Sequence, residues 1–245
     1  MLLQARALEV QYGKSRILHG VMLDVGDQPL AVVGRNGMGK TTLCHAILGM
    51  APVTAGSVLF DGTELAGRQP YQIASRGISL VPQGRRIFPS LTVDEHLRLV
   101  ERRGAGVKWT RERIYELFPR LFERRGNYGS ALSGGEQQML AIGRGLLCNP
   151  RLLIMDEPTE GLAPLMVELI VRTLKTMLRD GDIALLLIEQ NLAVAVEVAN
   201  SVAVMVNGRI DRILPSAELA SDKQLQQRLL GVSTEDGRPA AGILD

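Results

Sequence analysis

The octapeptide GRNGMGKT, residues 34–41, constrains this chain more than any other stretch of its 245 residues. It matches G-x-x-x-x-G-K-[ST] in full and follows the apolar run PLAVV, while a helical pattern begins at Lys40. Buried strand, glycine loop and helix in that order call for a sheet that the helix can cover. Gly34, Gly37 and Gly39 let the backbone turn its N–H groups inward as a nest for an anion. The helix that follows aims its N-terminal dipole at the same point. Lys40 adds a full positive charge for β- and γ-phosphates, and the Thr41 hydroxyl suits Mg2+. The whole loop, with Arg35, Asn36, Met38 and Thr42, is therefore expected to wrap ATP or GTP. What the energy drives is not written in it.

The remaining pattern surrounds this unit with alternating elements. ALEVQY and GVMLDV flank a turn at Gly13 and suggest an antiparallel strand pair. GSVLFDG and GISLVPQ are further strands, the second ending at Pro82. Helical periodicity then dominates from about residue 84 to 149. Within it, Thr92 and Glu95 have the spacing of a capping box, and Pro119 interrupts TRERIYELFPRLFERR. Strands are expected again at RLLIMDE, IALLLIE and SVAVMVNGRI, with helices at LMVELIVRTLKTMLRDG and LAVAVEVAN. SAELASDKQLQQRLLG is expected to form one last helix.

Strand–helix alternation on both sides of a helical insert implies an α/β fold: a mostly parallel sheet, an antiparallel N-terminal portion and an inserted helical subdomain. The expected organisation is one domain over 1–230. Its core is 1–83 and 150–214, its helical subdomain 84–149, its C-terminal helix 215–230, with a polar tail at 231–245.

Composition removes several function classes. The net charge of +2 is too small to point to nucleic acid or an acidic membrane. The pairs Arg85-Arg86, Arg102-Arg103 and Arg124-Arg125 are expected at solvated edges. The N-terminal segment lacks the pattern of a secretory signal. The longest apolar run, IALLLI, falls far short of the roughly 20 residues of a membrane helix. Any span must come from other chains. Cys44 and Cys148 do not make a disulfide framework and are expected reduced and buried.

Two further stretches carry chemistry. LLIMDE ends a buried strand in two carboxylates, at the sheet edge where open α/β folds bind ligands. Asp156 is the expected Mg2+ holder there and Glu157 the expected general base toward an attacking water. ALSGGEQQML offers Ser133 as N-cap and Glu136 three residues on, yet Gly134 and Gly135 fill the first turn. Each glycine costs roughly 1 kcal/mol against Ala in a helix, so something must profit from their missing side chains.

In order, GRNGMGKT, LSGGEQQ and LLIMDEP resemble the ATP-binding subunits of ABC transporters over about residues 8–231. The resemblance implies head-to-tail pairing with a second ATPase subunit. Each ATP then lies between the phosphate loop of one subunit and Ser133, Gly134, Gly135 and Glu136 of the other. Side chains at the glycines would block that approach. It further implies that Tyr12 stacks on adenine, although an aromatic in a strand also serves as core. It assigns Gln83 to Mg2+ and gives TEGLAP, residues 159–164, to the loop that crosses the dimer interface. One position departs from the family pattern: Gln190 stands where most members carry a histidine against the γ-phosphate. Glutamine donates and accepts hydrogen bonds but carries no charge.

The stretches EQN, DEPTEGLAP and VPQGRRIFPSLTV narrow the resemblance to the branched-chain amino-acid importers and their urea and amide relatives. That implies integral membrane permease subunits, a paralogous second ATPase, a periplasmic or lipid-anchored binding protein, and a peripheral position on the cytoplasmic face of the membrane. It implies no nucleic acid. Short export ATPases and soluble non-transport ABC proteins are the alternatives. Ile87, Phe88 and Leu91, beside Arg85 and Arg86, either line the groove that receives a permease helix or fill the insert's own core.

Overall fold

The structure is a computed structural model, and it describes residues 1–230 apart from 103, 105, 180 and 182. The expected tail at 231–245 and Arg103 of the second arginine pair lie outside the described residues.

Two sheets organise the described chain. β1 (Leu3–Tyr12), β2 (Ser15–Val25), β4 (Val53–Phe60) and β5 (Thr63–Glu64) form an antiparallel sheet in the order β2-β1-β4-β5. β6 (Ile78–Val81), β7 (Leu152–Asp156), β8 (Ala184–Glu189), β3 (Leu30–Val33) and β9 (Ser201–Val206) pair in parallel, and β10 (Arg209–Pro215) closes one edge antiparallel to β9. This is the expected arrangement of a mostly parallel sheet with an antiparallel N-terminal portion.

The parallel strands are mostly apolar because both faces are covered, with Asp156 and Glu189 only at the carboxyl ends of β7 and β8. Their side chains alternate between two cores. Ala31, Val33, Leu153, Met155, Leu185 and Leu187 face one core. Leu30, Val32, Leu152, Ile154, Leu186 and Ile188 face the other. The first core is filled from α3 (Val93–Val100), α6 (Gly134–Leu147), α7 (Pro164–Arg179) and α8 (Leu192–Val198). The second is closed by α1 (Lys40–Ile47) and the antiparallel sheet.

Several expectations meet local detail. Thr92 and Glu95 form the reciprocal capping box of α3: the Thr92 N–H donates to Glu95 Oε2 at 2.8 Å, and the Glu95 N–H to Thr92 Oγ1 at 3.2 Å. Pro119 divides α4 (Arg111–Leu117) from α5 (Pro119–Glu123). The last helix is a correction. It is two short pieces, α9 (Ser216–Ser221) and α10 (Lys223–Leu230), separated where Asp222 takes an extended conformation. Ser and Asp favour helix ends over interiors because they compete for backbone hydrogen bonds. Both cysteines are free and Cys44 is buried, but Cys148 is only part-buried because it stands at the C-terminal end of α6, where burial tapers. The short helix α2 (Pro70–Ala74) has no counterpart among the expected elements; Pro70 at its first position suits a helix start.

The sheet's register brings the functional loops to one edge. Val33 pairs with Glu189, Asp156 with Ile188, and Val81 with Met155. The chain leaving β3, β7, β8 and β6 at that carboxyl edge carries the glycine loop, Glu157, Gln190 and Gln83.

Candidate nucleotide-binding site

The glycine loop turns through Gly37 at φ 81° and Gly39 at φ 100°, where residues with a Cβ are strained. Gly39 is the N-cap of α1 and no side chain caps that helix, so its first N–H groups face the loop's interior. Lys40 is only 4 % exposed. Its Nζ donates to the carbonyls of Gly34 at 2.8 Å and Arg35 at 3.3 Å and pairs with Glu157 Oε1 at 3.1 Å. A cavity of about 400 Å³ opens here, lined by Ile17, Asn36, Gly37, Gly39, Lys40, Thr41, Thr42, Gln83 and Glu157.

The loop is propped from below by a feature that sequence reasoning registers only as a turn. The Gly208 N–H donates to the Met38 carbonyl at 2.9 Å, the Asn207 N–H to Met38 Sδ at 3.1 Å, and the His19 N–H to the Gly208 carbonyl at 2.9 Å. Asn207 and Gly208 have φ of 45° and 72°, the two positive values of a type I′ hairpin turn. A Cβ on Gly208 would run into the Ile17 carbonyl. The signal is present in the Asn-Gly dipeptide, but not its target.

The acidic edge stands opposite. Thr41 Oγ1 donates to Asp156 Oδ1 at 3.4 Å. Burial pushes the Asp156 carboxyl up to about 6; the Thr41 hydrogen bond and the Lys40 charge oppose this, and the Glu157 charge adds to it. Glu157 is buried and held at φ 49°, a value uncommon outside glycine. Its carboxylate stands between Lys40 and the Gln83 amide, which donates to Glu157 Oε2 at 3.3 Å and to Glu160 Oε2 at 2.8 Å. Thr41, Asp156 and Gln83 together offer the hard oxygen donors that suit Mg2+, once Gln83 turns its amide oxygen inward. Among the described residues no three His, Cys, Asp or Glu groups gather as a metal site. A cation here therefore needs phosphate oxygens to complete its shell, which is how Mg2+ is usually held.

At the LSGGEQQ stretch, Ser133 caps α6 and the capping box is complete. The Glu136 N–H donates to Ser133 Oγ at 3.3 Å, and the Ser133 N–H to Glu136 Oε2 at 2.8 Å. Glu136 also pairs with Arg120 at 3.1 Å and Arg124 at 3.6 Å. Burial alone would raise the Glu136 carboxyl, but the hydrogen bonds from Ser133 and Arg120 outweigh it and hold it below the usual range. The glycines admit neighbours from the same chain. A Cβ on Gly134 would lie 3.0 Å from Arg85 Nη1, and one on Gly135 only 2.5 Å from Met166 Cε. Ser133, Gly134 and Gly135 are not among the residues lining the phosphate-loop cavity.

A second cavity of about 320 Å³ adjoins the first and shares Glu157 with it. Its other lining residues are Thr159, Glu160, Glu189, Gln190 and Asn191. The structure thus brings Gln190 close to the base candidate, while Tyr12 stands 44 % exposed at the end of β1 and lines neither cavity. A third cavity of about 230 Å³ lies between α1, β6 and α6, lined by His45, Met50, Leu80, Arg86 and Arg144 among others. Burial lowers His45, and the Arg86 charge adds to this; burial lowers Arg144. Of the three apolar residues after Gln83, Ile87 packs on the first core and Phe88 is 53 % exposed, its ring 5.8 Å from that of His96.

Comparison with known proteins agrees with the fold. A family model described as ABC transporter matches residues 18–160. The high-affinity branched-chain amino acid transport ATP-binding protein BraG of Pseudomonas aeruginosa is 37 % identical over 225 residues, covering 90 % of this chain and 95 % of the relative. The probable branched-chain amino acid transport ATP-binding protein LivF of Archaeoglobus fulgidus is 32 % identical over 236 residues, covering 94 % and 99 %. The ADP conformation of MJ1267, an ATP-binding cassette of an ABC transporter, superposes with a TM-score of 0.76 at 25 % identity, covering 92 % of this chain and 97 % of that one.

Proposed function

Because this chain belongs to the ABC transporter ATP-binding family, whose ATP hydrolysis is coupled to transport, we propose that it powers an importer of branched-chain amino acids. It does so by closing head to tail on a second cassette over bound ATP. The observation that carries this reading is the division of the site. Lys40, Thr41 and Glu157 share one cavity, while Ser133, Gly134 and Gly135 stand at a different helix start, outside it. One chain supplies half of two sites.

The roles follow from charge and reach. Gly34 to Thr42 wrap the triphosphate, and Lys40 faces the β- and γ-phosphates. Thr41, Asp156 and Gln83 would hold Mg2+, which would supply charge neutralisation at the phosphates. Glu157 removes the proton of the attacking water. Its pairing with Lys40 at 3.1 Å occupies one of its carboxylate oxygens. A triphosphate competes for Lys40 and so frees the Glu157 carboxylate where the water is needed. Gln190 hydrogen-bonds the γ-phosphate, Tyr12 stacks on adenine, and Ser133 with the glycines reaches the ATP of the sister cassette.

No helix among the described residues is long and apolar enough to cross a membrane. Permease subunits therefore supply the pathway and hold this chain at the cytoplasmic face, and a periplasmic or lipid-anchored protein delivers the substrate. The cavity with His45, Arg86 and Arg144, next to exposed Phe88, suits a short permease helix. Phe88→Ala is expected to reduce transport while leaving ATPase activity intact. Uptake of labelled leucine, isoleucine and valine in cells carrying Lys40→Ala tests the substrate: loss of all three is expected. Retained uptake beside lost urea or amide uptake, or beside a lost export activity, would overturn it.

A further inference from the structure

Glu189 is the last residue of β8 and only 2 % exposed, yet neither nucleotide binding nor hydrolysis calls on it directly. Its carboxylate accepts four hydrogen bonds, two on each oxygen. Oε1 takes the Thr159 hydroxyl at 2.7 Å and the Thr159 N–H at 3.2 Å. Oε2 takes the N–H groups of Gln190 at 3.1 Å and Asn191 at 3.2 Å. Three of these partners are N–H groups that can only donate, and with the Thr159 hydroxyl they match what a carboxylate accepts. Burial works against that form and pushes the Glu189 carboxyl up, while the bonds from Thr159 and Asn191 oppose the shift. A buried charge is retained only where hydrogen bonds replace its water.

The two oxygens serve two different loops. One loop runs on from Asp156 through Glu157 to Thr159; the other begins at Gln190. The Glu157 N–H also donates to the Ile188 carbonyl at 2.9 Å, so the loops are tied on both sides of the base. Both line the second cavity, which meets the phosphate-loop cavity only at Glu157. A strand end needs no such group: an apolar residue would close the core without it.

We propose that Glu189 is a positioning residue that clamps the Thr159 loop to the Gln190 turn, so that base and switch glutamine meet the triphosphate as one unit. This rests on the reading of the chain as an ATPase in which Gln190 contacts the γ-phosphate. A glutamine at 189 can give its oxygen to the Gln190 and Asn191 N–H groups and its NH2 to the Thr159 hydroxyl, but the Thr159 N–H then loses its acceptor and the clamp is weakened.

The test is a double-mutant cycle on ATP hydrolysis by the full chain in its assembled transporter. Glu189→Ala is expected to lower kcat about tenfold or more, the scale of a misplaced reacting group, with KM for ATP within about twofold. Glu189→Gln should fall between it and wild type. Gln190→Ala should also lower kcat, and the double variant should be no slower than the slower single one, because the clamp acts through Gln190. A merely structural role would instead make the two losses multiply, and that result, or a Glu189→Ala kcat within twofold of wild type, overturns the clamp. If Glu189→Ala does not fold, Thr159→Val, which removes a single donor, takes its place in the same cycle, and the same two results decide. A silent Gln190→Ala would remove Gln190 from the γ-phosphate and overturn the clamp with it, since base and switch glutamine would then not act as one unit. An impaired Gln190→Ala beside a silent Glu189→Ala would overturn the clamp alone.

Discussion

Two helices in this molecule have glycine at their start, and the proposed function gives both starts to the same ligand, yet they begin in opposite ways. α1 starts at Gly39 without any side-chain cap, its N–H groups turned into a cavity that also holds the Lys40 ammonium. α6 starts at Ser133 with a complete capping box and a carboxylate, Glu136, in its first turn. The first end is electrically unfinished and waits for an anion. The second is finished within its own chain and already carries a negative charge, which suits the helix dipole. An anion binds the first end through charge and backbone together. At the second, on the proposed reading, it meets only the first-turn N–H groups that Ser133 does not cap, which the missing side chains of Gly134 and Gly135 leave open to approach. On that reading the first end holds nucleotide alone, and the second acts when a partner brings nucleotide to it.

This contrast makes predictions that can be ranked. The largest concerns Glu157→Gln, which keeps the cradle and removes the base. Turnover should fall about a hundredfold or more, while ATP still binds and the closed pair of cassettes accumulates in size-exclusion chromatography. Wild-type turnover would remove Glu157 from its role. Lys40→Ala should instead weaken nucleotide binding itself, measured by titration with a fluorescent ATP analogue.

Gly135→Ala separates two explanations of the second helix start. Its Cβ would meet Met166 Cε at 2.5 Å, and that side chain is flexible enough to move. If the glycine serves only Met166, the double variant Gly135→Ala/Met166→Ala should recover wild-type turnover. If it serves a triphosphate from the partner, turnover should stay about tenfold down in both variants while ATP affinity is unchanged. We expect the second outcome.

Smaller effects come from the cap. Ser133→Ala should lower stability by about 1 kcal/mol, read from chemical denaturation. Glu136 adds a pH dependence. Its carboxyl is held below the unfolded value, so its contribution is complete above the unfolded pKa of about 4.3. That contribution is lost as pH falls through the lower folded pKa. Thermal unfolding followed between about pH 5 and pH 3 should show a steeper loss for wild type than for Glu136→Gln; parallel curves would contradict the assignment.

The same contrast explains what the sequence discloses. The phosphate loop is local: a strand, three glycines and a lysine within a dozen residues dictate its shape, so motif and period suffice. The capping boxes at Thr92 and Ser133 are local too. The double burial of the parallel strands is legible from unbroken apolar runs such as LLIM and ALLLI. What stays hidden depends on residues far apart in the chain. Asn207 and Gly208 prop Met38 from across 169 positions. Glu189 reaches Thr159 across 30, and within a strand pattern it looks like a simple end. Met166 behind Gly135 and Arg85 behind Gly134 are equally invisible, because spacing says nothing of which side chain fills a gap. The break at Asp222 is hidden for another reason: the apolar period runs on through a residue that favours helix ends.

The division of each site between two cassettes is tested most directly by a cryo-EM structure of the transporter assembled with the Glu157→Gln chain and trapped with ATP. The Ser133 hydroxyl and the first N–H groups of α6 are expected within hydrogen-bonding distance of the γ-phosphate held by the opposite cassette, with Lys40 on the chain's own nucleotide. Finding Ser133, Gly134 and Gly135 away from every bound triphosphate, or against the nucleotide of their own chain, would contradict it.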